Sequence, residues 1–394
     1  MSWPLAAIGD HVANVKSWNP AKLHDKGAFD YIDLGSVNNE EKEVKLSDVV
    51  NIFPIDAPSR ARQLVKENDV LVATVRPYLN GVALVQPQLD GATASTGYCV
   101  LRVNDETLDP RYLYFWVQTS VFIKDMVSKA TGANYPAVSD RIIKESKLPL
   151  PPLKEQKRIA EILDKADSLR RKRQQSIQLA DEFLRAVFLD MFGDPVTNPK
   201  GWEVKYLKEN IVHANNGLSR RRKDAENIGD IVLRLQDIHY DGIRLYKDLN
   251  RINLDSKEKS RYKVDVGDIL FVRVNGNPDY VGRSAVFLGH SEDVYHNDHI
   301  IRIKLSEKYN TEFLTYCFNQ KGGRKLISKY IKTSAGQHTI SQGGIEKLGF
   351  YQPPVSLQNK FVELQRKVLN IPHDDKGVGL LFESLSQKAF SGSL

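Results

Sequence analysis

Residues 154–191 contain neither Gly nor Pro, and one heptad stripe runs through them: Ile159, Leu163, Ala166, Arg170, Arg173, Ile177, Ala180, Leu184, Val187 and Met191. Pro149-Leu150-Pro151-Pro152 stops any helix from entering upstream, and Gly193 with Pro195 ends the run, so the pattern predicts one uninterrupted helix. At about 1.5 Å per residue it is about 50 Å long, more than a domain of this size needs to cover its own core. It reads as a spacer. Arg170 and Arg173 break the apolar seam beside Arg171 and Lys172, and two readings stay open there: a solvated charged face, or a phosphate contact. A second stripe, Leu357, Phe361, Leu364, Val368 and Ile371, resumes in phase at Val378, Phe382, Leu385 and Ala389. Pro372, the polar run His373-Asp374-Asp375-Lys376, Gly377 and Gly379 lie between, which predicts a kink or short loop near residues 371–379. Two long helices with matching seams predict an antiparallel coiled coil.

The remaining chain alternates differently. Residues 70–75, 82–85, 98–103, 231–235, 269–274 and 284–288 are short, β-branched-rich runs bounded by Gly, Asn, Pro or Asp, and predict strands. Residues 110–128 and 311–330 predict helices. The fold class is therefore mixed α/β (α+β).

These elements come twice in one order. Ser2-Trp3 with Ile8 returns as Gly201-Trp202 with Leu207, and Asn68-Asp69-Val70-Leu71 returns as Gly267-Asp268-Ile269-Leu270. Val100-Leu101-Arg102-Val103 matches Ile300-Ile301-Arg302-Ile303, and Tyr112-Leu113 matches Phe313-Leu314. Val138-Ser139, Leu148, Pro151-Pro152 and Gln156 match Ile340-Ser341, Phe350, Pro353-Pro354 and Gln358. The displacement is always about 200 residues, far beyond the roughly 20–50 residues of a solenoid repeat, so the chain carries two copies of a domain rather than a solenoid. With a coiled coil joining them, the copies are related by a pseudo-twofold axis. The scaffold positions match, while the loops 76–81 and 275–282 do not. One frame with two different loops suits two related binders of different targets.

Composition adds limits. With 394 residues, 41% hydrophobic and 27% charged, the chain can fold two compact domains with linking helices. No apolar run approaches the roughly 20 residues that span a bilayer, and Met1-Ser2-Trp3-Pro4 lacks a charged n-region with an apolar stretch after it, which predicts a soluble, unexported, cytoplasmic protein. Cys99 and Cys317 sit in apolar stretches of different copies, so they read as inert core residues. The net charge of +7 fits a polyanionic partner but decides little alone.

Motifs for catalysis are scarce. There is no phosphate-binding GxxxxGK[ST] loop, no His-Glu-x-x-His helix, no GxSxG elbow and no paired CxxC. Asn277-Pro278-Asp279-Tyr280 resembles the Asn-Pro-Pro-Tyr that holds a flipped adenine in methyltransferases, but the second Pro is replaced and no glycine-rich cofactor loop precedes it. In His296-Asn297-Asp298-His299 the two histidines face opposite sides of a strand, which favours structural or base-reading roles over metal. No catalytic residue and no metal ligand is assigned.

Residues suited to DNA are easier to find, because base edges are read by Arg, Asn, Gln and His, and phosphates are held by Lys and Arg. In the first copy these are Arg60, Arg62, Thr74, Arg76, Tyr78, Asn80, Lys129 and Asn134, the last beside Tyr135. In the second, Arg220-Arg221-Arg222-Lys223 forms a basic run suited to phosphate. Gln236, Arg273, Asn275, Asn277, Tyr280, Arg283, His296, His299, Gln337 and His338 follow as candidate contacts. Their grouping near matching strand ends sets them apart from ordinary surface residues.

Pro149-Leu150-Pro151-Pro152-Leu153-Lys154-Glu155-Gln156, with Ile159 and Ile162-Leu163, resembles the central conserved region of the DNA specificity subunits of type I restriction-modification enzymes. Leu385-Ser386-Gln387-Lys388-Ala389-Phe390-Ser391-Gly392 resembles that family's distal conserved end. Ser59-Arg60-Ala61-Arg62 with Asp69-Val70-Leu71 and Thr74-Val75-Arg76-Pro77 resembles one of its target recognition domains, and Gly267-Asp268-Ile269-Leu270 with Val281-Gly282-Arg283 the other. The resemblance spans the chain and departs from the family at Pro372. It implies a target recognition domain at residues 1–150, a central conserved helix at 151–193, a second recognition domain at 194–352 and a distal conserved helix at 353–394. It also implies a non-catalytic subunit that reads a bipartite double-stranded DNA site, one domain per half-site, and docks two modification (adenine methyltransferase) subunits and restriction (translocase and nuclease) subunits. S-adenosylmethionine, ATP and Mg belong, on this resemblance, to those partners alone, and no membrane partner is implied. Two other readings stand beside it: a coiled-coil scaffold whose modules grip proteins, and a stand-alone nuclease with an unrecognised active site.

Overall fold

A computed structural model of the chain describes residues 3–22, 27–104, 106–219, 228–245, 248–334, 336–369 and 375–394. The chain divides into two compact units, Met1–Ile177 with Asp374–Leu394, and Gln178–His373.

In the first unit an antiparallel sheet has the strand order Val12–Ala13, Tyr98–Val103, Val70–Ala73, Val82–Leu84. A second sheet runs Val50–Ile52, Phe29–Ile32, Thr93–Ser95, Ala61–Leu64, with the middle pair parallel. Side chains alternate across a strand, and here the alternation fills two cores. Val70, Val72, Cys99 and Leu101 pack with the helix Pro110–Trp116, while Leu71, Tyr98 and Val100 pack with Ile32 and Ala94 of the second sheet. This explains why the strands read as continuous apolar runs. The second unit repeats the order with Ile211–Asn216, Ile300–Leu305, Ile269–Val272 and Ser284–Val286. Its alternation is the same: Ile269, Phe271, Ile301 and Ile303 face one core, and Leu270, Val272 and Ile300 the other.

Each helix predicted after the central strands is in fact two. Residues 110–128 form Pro110–Trp116 and Ser120–Lys129, because Thr119 is extended and its Oγ1 accepts from the Phe122 N–H, capping a new helix. Residues 311–330 divide into Thr311–Asn319 and Lys321–Ser328 at the extended Gln320.

The predicted spacer is one continuous helix, Leu153–Phe192. In the first unit Ile159, Ala160 and Leu163 share a core with Phe382, Leu385, Ala389 and Phe390 of the helix Asp375–Ser391. In the second unit Phe188 and Phe192 pack against Phe313 and against Phe361 of the helix Val355–Leu369. In the first unit the paired helices run antiparallel, Arg158 lying by Leu394 and Arg170 by Phe382. The heptad stripe misses Phe188 and Phe192. Ala180, Leu184, Phe188 and Phe192 are buried at intervals of four, since a straight helix of 3.6 residues per turn drifts off a 3.5 repeat when it enters a domain core. Arg170 of the stripe and its neighbour Arg171 are held by ion pairs within the first unit. Arg170 and Arg171 both bond Asp167 at 2.6 Å, Arg171 also reaches Glu43 at 2.7 Å, and the Arg170 guanidinium lies 5.7 Å from the Phe382 ring. The helix Asp375–Ser391 includes Gly377 and Gly379, so the distal interruption is shorter than 371–379; Pro372 and its neighbours lie outside the described residues.

A glutamine ties each helix start to its unit. The buried Gln156 accepts from the Asp109 N–H through Oε1 (2.9 Å) and donates from Nε2 to the carbonyls of Thr107 and Pro151. Gln358 does the same with the Asn310 N–H (2.8 Å) and the carbonyls of Lys308 and Pro353. Asp109 and Asn310 in turn cap the helices Pro110–Trp116 and Thr311–Asn319.

Candidate nucleic-acid interface

In the first unit the chain leaves the strand Val70–Ala73 through Thr74. Both the Thr74 N–H and its hydroxyl donate to the Gly97 carbonyl at 2.9 Å, and the residue is 8% exposed, so Thr74 is a brace of this end and not a surface contact. Val75 then bridges Ala137, which also bridges Thr131, and Asn134 with Tyr135 occupies the turn between. Arg76 is left-handed (φ 52), donates its N–H to the Pro136 carbonyl at 2.7 Å, and holds its guanidinium 4.8 Å from the Tyr135 ring centre. The 3-10 turn Pro77–Leu79 follows, closed by a left-handed Asn80 whose carbonyl accepts from Lys42 Nζ at 2.6 Å. Burial, with Arg170 nearby, lowers the Lys42 ammonium to about 8. Arg76, Tyr78, Asn134 and Tyr135 are thus brought to one tip. Arg60 stands at the same strand end, since its carbonyl accepts from the Thr96 N–H, and its side chain pairs with Asp33 at 3.1 Å. Arg62 lies half-buried in the strand Ala61–Leu64, Asn80 turns its amide toward the Gln118 carbonyl, and Lys129 pairs with Asp125 at a helix end.

The second unit builds the same place as a ribbon. Val274–Asn275 pairs with Gln337–Thr339, which pairs with Lys332–Ser334, so Asn275 stands opposite His338 and Gln337 is exposed at the turn. His338 Nδ1 lies 2.9 Å from Thr333 Oγ1. The resemblance of Asn277-Pro278-Asp279-Tyr280 to a catalytic motif has a local explanation: the Asn277 side chain accepts from the Asp279 N–H and caps the turn Pro278–Tyr280. The Arg283 guanidinium sits 4.2 Å from the Tyr280 ring centre and 4.9 Å from that of Tyr240, and donates to the Ile238 carbonyl at 3.1 Å. Arg324 holds the turn from below, donating to the carbonyls of Asp279 (3.0 Å) and Val281 (2.6 Å), while the Tyr240 hydroxyl donates to the Asp279 carbonyl at 2.7 Å. Gly282 closes it at φ +75, where a Cβ would stand 2.5 Å from an Ile327 methyl. Arg324 and Tyr240 were not foreseen; they lie about 40 residues from the turn in either direction, with no shared motif. Arg273 donates to the Asp298 carbonyl at 3.1 Å, and Gln236 is exposed on the turn Leu235–Asp237.

His296 departs from the base-reading role expected of it. It is 0% exposed, its Nδ1 lies 2.9 Å from the Tyr262 carbonyl, and burial lowers its pKa to about 4, so it supports the fold and reads no base. His299, three residues on, is half-buried with Nε2 3.7 Å from Asp298. Arg220, Arg221, Arg222 and Lys223 lie outside the described residues. Among the described residues no group of three or more His, Cys, Asp or Glu could hold a metal ion. Burial pushes the Cys99 thiol up to about 12 and Cys317 well above its ordinary value, which suits core residues. What remains at the tips is a set of guanidinium, amide, imidazole and aromatic groups on braced turns.

Residues 8–179 match the family model of the type I restriction modification DNA specificity domain. Over 318 residues the chain is 31% identical to the specificity subunit of the type I restriction enzyme StySPI of Salmonella potsdam, an alignment covering 75% of this chain and 68% of that one. The chain belongs to the type I restriction enzyme specificity subunits. This specificity subunit is also 24% identical over 319 residues to that of EcoKI from Escherichia coli K12, again covering 75% of this chain and 68% of the other. Its fold matches the crystal structure of the type I restriction-modification S subunit from M. genitalium with a TM-score of 0.62, over 99% of this chain and 96% of that one, at 15% identity. The specificity subunit's family match covers the first tip and the first part of the helix Leu153–Phe192. Among the described residues, no helix is long and apolar enough to cross a membrane.

Proposed function

We propose that this chain is the DNA-reading, non-catalytic subunit of a type I restriction-modification complex, each unit reading one half of a split site through its tip. The observation that carries this is the pairing of equivalent frames with unequal tips: Arg76, Tyr78, Asn134 and Tyr135 in one, Asn275, Asn277, Tyr280, Gln337 and His338 in the other. Arg with G, and Asn or Gln with A, form the paired hydrogen bonds that distinguish bases in the major groove. Chemistry then resides in the subunits it assembles with. We assign it two modification subunits, one for each half of its duplicated plan, and restriction subunits beside them. S-adenosylmethionine, ATP and Mg act on those partners, and the assembly works in the cytoplasm where its DNA is.

The test is methylome sequencing of a host that carries the chain with its modification subunit. Asn277→Ala combined with Gln337→Ala should relax bases in one half of the methylated site and leave the other half and the gap unchanged. A site that shows no two-part form, or a variant that alters both halves, overturns the assignment.

A further inference from the structure

The turn 76–80 of the first unit is built unlike an ordinary loop. Arg76 (φ 52) and Asn80 (φ 47) are both left-handed and neither is glycine, so the backbone is strained at both ends. Strain of this kind persists only where the surroundings enforce it, and here they do. Pro136 holds the Arg76 N–H, Lys42 holds the Asn80 carbonyl, and Pro77 is buried where its turn packs on the helix Ser120–Lys129. The result of this bracing is that Tyr78 and Leu79 stand out at 55% and 44% exposed. A fold gains nothing from a strained, braced turn that exposes an aromatic and an aliphatic side chain to water. Arg76 and the 67% exposed Tyr135 flank the pair and offer a cation and a second aromatic face. The corresponding turn of the second unit differs: Asp279 and Tyr280 occupy it, the first anionic and the second stacked on Arg283.

We propose that Tyr78 and Leu79 are a wedge that enters the base stack of the DNA half read by the first unit and opens one base step there, while the second unit reads its half unopened. The proposal rests on the DNA-reading function above. A duplex is the occupant that fits, because an apolar side chain inserted beside a cation-bearing tip both replaces lost stacking and stays close to phosphate. An anionic Asp279 in the same place opposes such entry. Recognition by the first unit then includes the cost of unstacking, so it favours flexible pyrimidine–purine steps.

The test uses the full chain assembled with its modification subunits on a duplex of its own methylated site, with 2-aminopurine placed position by position through each half. The methylated adenines are set aside, since methyltransferases extrude their target base. Binding should raise fluorescence at one step of the first half and at none in the second. Tyr78→Ala with Leu79→Ala should abolish that rise and weaken binding to intact duplex roughly tenfold or more, the scale of one lost stacking contact. A duplex with an abasic gap at that step should restore most of the binding, and Tyr78→Phe with Leu79→Met should keep the rise. Thermal melting of each variant checks that the unit is folded. The wedge is overturned if wild type gives no rise in the first half, or if the rise survives the double alanine change. It is also overturned if that change instead blocks assembly with the modification subunits, which would make the pair a protein contact. A wild-type complex that fails to bind site-bearing duplex at all would overturn the DNA reading itself, and the two failures are thereby distinguished.

Discussion

His296 ends the strand Val294–His296 with its ring sealed from water and its Nδ1 2.9 Å from the Tyr262 carbonyl, so Nδ1 carries the proton and donates. Burial is the main cause of its pKa falling to about 4, and the positive charge of Arg302 adds to it. An unfolded histidine titrates near 6.5, so below that pH the unfolded chain takes up a proton that the folded chain refuses. Stability from this residue is fully present above about pH 6.5 and is lost as pH falls toward 4, on the order of 3 kcal/mol in all. Thermal melts between pH 7.5 and 5 should show the second unit weakening, with a shallower pH slope in a His296→Asn variant. Equal slopes would show that His296 does not set the acid response. The sequence placed His296 among base readers because chemistry alone does not tell which side of a strand a residue faces. Thr74 was misplaced for the same reason, its hydroxyl being consumed by Gly97. The surface position of Tyr78 and Asn277, though not their role, was legible because strand-end turns with Pro and Asn must lie at the surface.

At the scale of elements, the repeated Pro-Pro-x-x-x-Gln was visible as a motif, but its mechanical meaning was not. Gln156 and Gln358 each satisfy one N–H and two carbonyls of their own unit. A buried group left unsatisfied costs about 1–3 kcal/mol. Gln156→Leu should therefore weaken the docking of the helix Leu153–Phe192 in the first unit, and Gln358→Leu that of the helix Val355–Leu369 in the second. Hydrogen exchange separates the two. Protection in Pro110–Trp116 should fall for Gln156→Leu while that in Thr311–Asn319 holds, and the reverse for Gln358→Leu. Loss in both units from one change would refute independent locks. Strand order could not be derived from pattern, since the parallel pairing of Phe29–Ile32 with Thr93–Ser95 joins segments about 60 residues apart. Helix ends at Thr119 and Gln320 were hidden because the apolar period runs on through a single extended residue.

For the whole molecule, duplication was the legible feature, because a repeated scaffold repeats its buried positions while its tips vary. The helix Leu153–Phe192 has residues in the cores of both units, Leu163 in the first and Phe188 in the second. Its length is thus a candidate for what fixes the unread gap between half-sites. Inserting four residues among the exposed positions Gln174, Gln175 and Ser176 disturbs neither core and adds about 6 Å of helix at about 1.5 Å per residue. Duplex DNA rises about 3.4 Å per base pair, so the methylated gap should lengthen by about one or two base pairs with both half-sites unchanged. Deleting a turn from the same stretch should shorten it by as much. The two outcomes that contradict this differ in meaning. An unchanged gap in the methylome removes the helix as a ruler and leaves the reading heads intact. Altered half-site bases with an unchanged gap would mean that the insertion acts on the tips through their scaffolds, which the separate cores around Leu163 and Phe188 argue against.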